Sequence, residues 1–184
     1  MRIILMLLFS LLVMNGCKST PQTPPPPEMK DLNIIDWLSL PPPDDELWGI
    51  GSAVAEKDYE AMLTATARAK ASIRQQLQRY VDSALKRYNE QVDAENRADD
   101  SLIEGVAFEI NNMLLSESIV NKREQTPNKV WWYRVSYKKP DARTAVFQIF
   151  DGEIERYPEF NPNRAIVFFD EQMGKTDPPF VTSK

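Results

Sequence analysis

Histidine is absent from this 184-residue chain, and cysteine occurs once, as Cys17. The first absence removes imidazole acid–base catalysis, imidazole metal ligation and any Ser–His or Cys–His nucleophile pair. The lone cysteine removes an internal disulfide, a cysteine zinc cluster and a CxxC redox motif. Glycine is scarce, with 6 residues. Gly49-Ile50-Gly51 is followed by no GK[ST] and no third glycine in register, but by Glu56, Asp58 and Glu60, which would repel a phosphate. Basic charge is also short: 22 Lys and Arg face 27 Asp and Glu, for a net charge of −5 and a pI of about 4.9. A broad electrostatic surface for nucleic acid is therefore not expected. The acidic runs Asp44-Asp45-Glu46 and Asp99-Asp100 lack the spaced oxygen ligands of a Ca²⁺ loop; the first ends a linker and the second suits helix capping. No catalytic, cofactor-binding or metal-binding set emerges, and the chain reads as a non-enzyme.

What is present begins with Met1-Arg2 and an apolar run, Ile3 to Met14, whose one polar residue is Ser10. A membrane-spanning helix needs about 20 apolar residues, so this run fits the apolar core of an export signal. It ends at Met14-Asn15-Gly16-Cys17, and a small residue directly before the lone cysteine resembles a bacterial lipobox. The resemblance implies removal of residues 1–16 and acylation of Cys17 by fatty chains such as palmitate. It also implies export to the periplasm and a mature protein lipid-anchored in the cell envelope. Lys18, rather than Asp, after the cysteine favours the outer membrane. Without Arg2, 21 basic side chains face 27 acidic ones, a net of about −6. Several acyl chains hold durably where one holds marginally.

Residues 17–46 read as a tether. Eight of the 14 prolines lie between Pro21 and Pro43, in runs that favour polyproline II. At about 3.1 Å per residue, residues 18–30 reach roughly 40 Å. Between the proline runs, Leu32 to Leu38 is apolar enough to pack on the domain with Trp37 as anchor, or to bind a partner.

The folded domain is expected over residues 47–157. Leu47 to Val54 reads as a strand whose glycines mark close backbone approach or a bulge. Asp58 to Val92 is the strongest helix, capped by Asp58. Tyr59, Met62, Leu63, Thr66, Ala69, Ile73, Leu77, Tyr80, Val81, Ala84 and Tyr88 are expected to face inward. A second helix, capped among Asp99, Asp100 and Ser101, runs to about Met113 through Gly105, which suggests close packing. Strands near 116–124 and 130–138 flank the turn Thr126-Pro127-Asn128-Lys129 and pair as an antiparallel hairpin. A third helix starts at Pro140-Asp141 and ends near Asp151-Gly152. Residues 158–184 read as an extension. In it Asn163 caps a short helix closed by Gly174, with an edge strand at Ile166 to Phe169 as the alternative, and the last ten residues are expected to be disordered.

Two surfaces stand out as contact candidates. On the last strand Trp131, Tyr133, Val135 and Tyr137 alternate with Trp132, Arg134, Ser136 and Lys138. One face is expected to be core, leaving Trp132 and Arg134 as outward contacts; the alternative is a glycan- or peptide-binding strip built on Trp131-Trp132-Tyr133. On the long helix Arg68, Arg74, Arg79 and Arg87 suggest a row for an acidic partner or lipid headgroup, or simply a solvated face.

The order of these motifs carries a resemblance. Asp36-Trp37, Trp48-Gly49-Ile50-Gly51-Ser52-Ala53, the Asp58 helix with Ala61, Ala65 and Ala67-Arg68, and Trp132-Tyr133-Arg134-Val135 follow one another as in the LPP-twenty family of small bacterial envelope lipoproteins. That family includes lipoproteins of the flagellar outer-membrane disk and is similar to the amino-terminal domain of a flagellar ring protein. The resemblance covers about residues 36–150. It implies an α+β domain of dodecin-like order β-α-(α)-β-β-α, with a three-stranded antiparallel sheet on one long helix and shorter helices around it. It further implies membrane attachment through Cys17, self-association and a place in an envelope assembly such as a flagellar one, without catalysis.

Overall fold

The computed structural model describes residues 36–174 and 180–182. Strand β1 (Glu46–Ala53) has to lie close to something, because Gly49 and Gly51 leave two gaps in one of its faces. The long helix α1 (Asp58–Gln91) fills them. A β-carbon on Gly49 would stand 1.9 Å from the Ala69 carbonyl oxygen, and one on Gly51 would stand 2.2 Å from that of Ala65. The glycines therefore mark close approach, and β1 pairs without a bulge.

Helix α1 crosses the sheet in two regimes. Its first turns bury Ala61, Ala65 and Ala69, and its later turns bury Ile73, Leu77, Tyr80, Val81, Ala84, Leu85 and Tyr88. The expected stripe holds for the second regime and fails for the first: Tyr59 and Leu63 are exposed, and Met62 and Thr66 are half-buried. Where backbone meets backbone, small side chains face inward and large ones turn away. Asp58 does not cap α1. The capping position is Lys57, without a side-chain bond, and Asp58 Oδ1 instead accepts from Gln125 Nε2 (3.0 Å) and Trp131 Nε1 (3.2 Å).

After a short 3-10 turn at Ala94–Asn96, helix α2 (Asp100–Asn112) is capped by Asp99, whose Oδ1 accepts from the Leu102 amide (2.8 Å). Asn89 fixes the connection by exchanging two hydrogen bonds with the backbone of Ala98. Strands β2 (Ile119–Gln125) and β3 (Trp131–Lys138) form the expected hairpin. Its turn is closed by Thr126 and Val130, with Lys129 in the left-handed region at φ 60°. The pairing shifts between Val120 and Lys122, leaving Asn121 as a bulge. β3 pairs antiparallel with β1 in turn. The fold is α+β with a three-stranded antiparallel sheet, and the chain order up to helix α3 (Lys139–Gly152) follows expectation.

The remainder extends that plan. Helix α4 (Pro162–Met173) forms where a helix is expected, but its cap is Asn161, whose Oδ1 accepts from the Arg164 amide (3.0 Å). Residues 160–173 are not an appendage. Ala165, Ile166, Phe168, Phe169 and Met173 share one core with α1, α2 and α3. Phe160 packs edge-on against Tyr88 and Phe150, with ring centroids 5.3 and 5.8 Å away, and Tyr80 meets Phe169 at 6.4 Å. The Tyr88 hydroxyl donates to the Asn96 carbonyl (3.0 Å) and accepts from the Asn161 amide (3.1 Å), fastening both connections to α1. Within the segment expected to be disordered, Phe180–Thr182 forms a short strand β4, parallel to β1, giving the sheet order β2-β3-β1-β4.

Candidate functional site: an open edge strand beside an arginine–tryptophan stack

The sheet face turned away from α1 is built from alternate residues of β1 and β3. Trp48, Ile50 and Ser52 come from the first, and Trp132, Arg134 and Ser136 from the second. Arg134 is its centre, and it is buried at 6% exposure. Its guanidinium carbon stands 3.6 Å from the ring centroid of Trp48 and 5.5 Å from that of Trp37. Nε donates to Asn121 Oδ1 (2.8 Å) and Nη1 to the Trp37 carbonyl (3.4 Å). A flat cation between indoles, held by two of its donors, is a structural joint. Burial draws the Arg134 pKa down, and the carboxylate of Glu46 partly opposes this.

Trp37 lies on a 3-10 turn, Asp36–Leu38, and closes over this face. With Leu38 it packs on Ile50, Val130 and Trp132, and its indole N–H donates to Glu124 Oε2 (3.1 Å). Trp37 is thus the anchor that the sequence suggests, and packed structure begins ahead of the expected boundary at residue 47. Trp132, expected to point outward, is 5% exposed. The strip Trp131-Trp132-Tyr133 offers no glycan platform either: Tyr133 is buried between β3 and α1, Trp131 is half-buried beside it, and their rings stand 6.3 Å apart. Alternation identified the two faces, but it does not reveal that the second is also covered.

The acidic run at the head of β1 has a structural task as well. Lys138 Nζ lies 2.9 Å from Asp45 Oδ2 and 2.8 Å from Glu46 Oε1, and Trp48 Nε1 donates to Glu46 Oε2 (2.8 Å). The hydrogen bond from Lys138 holds both carboxyls below their ordinary values, against the opposing effect of burial. In return, the same carboxylates push the Lys138 ammonium pKa up.

The arginines of α1 do not form a row. At about 100° per residue, Arg79 lies within about 20° of Arg68, whereas Arg87 and Arg74 lie about 100° and 120° away on opposite sides. Three of them tie α1 to other elements. Arg68 Nη1 donates to the Ser52 carbonyl (2.6 Å) and Arg74 Nη1 to the Met113 carbonyl (3.2 Å). Arg87 pairs with Glu171 and lies 5.5 Å from the centroid of the Phe168 ring. Arg79 is exposed. Cys17 lies outside the described residues.

The open surface is β2. All seven of its residues are exposed. Among the described residues it pairs with β3 alone, so its other edge presents backbone donors and acceptors without ladder partners. Ile119 and Val120, 64% and 42% exposed, give that edge an apolar end. Lys122, Arg123 and the bulge at Asn121 make indiscriminate pairing unfavourable. The sequence places a strand here; its position at the rim depends on sheet order, which local pattern does not encode.

Among the described residues, no group of three or more acidic or cysteine side chains is placed to hold a metal ion, and no helix is long and apolar enough to cross a membrane. No family model matches the chain, and no curated protein matches it. The LPP-twenty resemblance therefore rests on the order and spacing of its motifs.

Proposed function

We propose that this chain is a lipid-anchored, non-enzymatic protein of the bacterial cell envelope that serves as a structural or assembly module. In this reading, acyl chains on Cys17 hold it at the outer membrane, and the proline-rich segment lets the α+β domain stand off the bilayer. The observation that supports the assembly role is the edge of β2, which has no ladder partner among the described residues, with Ile119 and Val120 exposed on it. A strand edge accepts a strand from a neighbour, whether another copy or another envelope protein, and backbone hydrogen bonds supply the affinity. Confinement to a membrane raises effective concentration, so a short edge suffices. Trp48, Arg134, Arg68 and Arg74, which would compete for a binding role, are occupied in joints instead. The motif order resembling LPP-twenty lipoproteins supports the same reading and makes a flagellum-associated assembly one instance of it.

Two measurements test this. Cys17→Ser is expected to move the protein from the membrane fraction to the soluble fraction; unchanged detergent partitioning would overturn the anchor. Sedimentation equilibrium of the mature chain is expected to show association that Val120→Asp abolishes. A strict monomer at high concentration, with no envelope protein crosslinked through β2 in cells, would overturn the assembly role.

A further inference from the structure

Helices α2 and α3 leave a groove of about 490 Å³ between them, running on to the turn that follows α3. Its apolar walls are Met113, Leu114 and Ile149, and its charged residues are Glu109, Glu153, Glu155 and Arg156. Three carboxylates against one guanidinium make the groove acidic.

Glu153 is the unusual member. It follows the last turn of α3, and its side chain is 7% exposed. Oε2 is buried and accepts no hydrogen bond. The nearby Arg156 Nη1 stands 3.9 Å away, beyond hydrogen-bond reach, on a side chain that is 75% exposed. Gly105 makes room for the carboxyl: a β-carbon there would come within 3.3 Å of Glu153 Oε1. Burying a carboxylate oxygen without a donor is costly, and an approaching cation with hydrogen-bond donors reduces that cost. The groove supplies the complementary apolar contact, since Leu114 on its wall is 83% exposed.

We propose that this groove receives an arginine side chain from a basic, apolar-flanked segment of a protein partner, with the guanidinium on Glu153 and the flanking residues on Leu114 and Ile149. The choice of a cationic side chain follows from charge: an anionic headgroup or phosphate would meet three carboxylates. Arginine is favoured over lysine because its planar fork can engage both carboxylate oxygens. Arg156 then acts as the internal competitor, displaced when the partner arrives. No residue of β2 lines this groove, and the proposal does not depend on the anchor at Cys17.

The test is fluorescence anisotropy of the full chain in detergent with a labelled Leu-Leu-Arg-Leu-Leu peptide and the same peptide carrying neutral citrulline in place of arginine. The arginine peptide is expected to bind about tenfold or more tightly than the citrulline peptide. Glu153→Gln should erase that difference, and Arg156→Ala should widen it. Equal binding of the two peptides by the wild type, or absence of binding by both, overturns the proposal, as does a difference that persists in Glu153→Gln. Thermal melting confirms that the variants fold. If Glu153→Gln does not, Leu114→Ala decides: its side chain is exposed, so the fold is spared, and unchanged arginine-peptide affinity would place the ligand elsewhere and overturn the assignment. Membrane fractionation is unaffected by any of these outcomes, which separates them from the test at Cys17.

Discussion

Gly51 of β1 lies against Ala65 of α1 so closely that a β-carbon on the glycine would sit 2.2 Å from the alanine carbonyl oxygen. The strand–helix contact at this end of the molecule is therefore backbone on backbone. Gly49 repeats the relationship one helical turn further on, against Ala69. The paired glycines and the alanines at i, i+4 and i+8 form a single device, in which two elements give up side-chain volume at the same place.

Gly51→Ala and Gly49→Ala are accordingly expected to destabilise the protein by about 3 kcal/mol each, because the new methyl meets main-chain atoms that cannot rotate away. Gly152→Ala is the control. Nothing lies within 4 Å of its added carbon, and its φ is not positive, so it should be neutral or stabilising by about 0.5 kcal/mol. Urea denaturation of the three variants checks this.

Phe169→Ala tests whether α4 belongs to the domain. The ring is fully buried against Tyr80, and its loss should cost about 3–5 kcal/mol with a single cooperative transition retained. A loss below about 0.5 kcal/mol in chemical denaturation would show that residues 160–173 are peripheral after all.

Arg134→Lys keeps the charge and removes the plane. The ammonium cannot spread over the Trp48 ring while also reaching Asn121 and the Trp37 carbonyl. The expected cost is about 1–2 kcal/mol. A more specific sign is faster hydrogen exchange across residues 36–38 and in Asn121, with the amides of α4 unchanged.

Acid stability should depend on Glu46. Its carboxyl is held below its ordinary value of 4.5, first by the hydrogen bond from Lys138 and also by that from Trp48, against the effect of burial. A depressed value in the folded state contributes stability that is complete above pH 4.5 and disappears as pH falls through the lowered value. Glu46→Gln should lower the melting temperature at pH 7 and reduce its fall on acidification below pH 4.5. Parallel curves for wild type and variant across pH 6 to 2 would contradict this.

Local chemistry made much of the fold legible. A cap among Asp99, Asp100 and Ser101, the turn at Thr126–Lys129, the two faces of β3 and the later turns of α1 all follow from residue type and period, and the structure selects Asp99 as the cap. What failed did so for tertiary reasons. Period alone placed Tyr59 and Leu63 inward, but the glycines of β1 draw α1 too near for them, and Ala61 and Ala65 face the strand instead. Alternation predicts Trp132 and Arg134 outward because one side of a sheet is commonly solvated; here Trp37 and Leu38 cover it from a segment far away in sequence. Residue type alone suggests a row of arginines on α1, whereas their angular positions send Arg68, Arg74 and Arg87 to different neighbours. β4 is three residues long and exists through its pairing with β1, so no local pattern announces it. Glu153 had a single clue, the glycine at 105 in the facing helix, and that clue speaks of room rather than of charge.

The eight aligned rungs between β1 and β3 have a mechanical meaning. Their hydrogen bonds run across the strands, so a pull directed along the axis of β1 strains all of them together, whereas one directed across the sheet would take them in succession. Gln76 and Arg68 grip the carbonyls of Trp48 and Ser52 from the helix side, and Lys138 clasps Asp45 and Glu46 at the head of the strand. A domain wired in this way resists stretching along that axis as one block, and gives way abruptly or not at all.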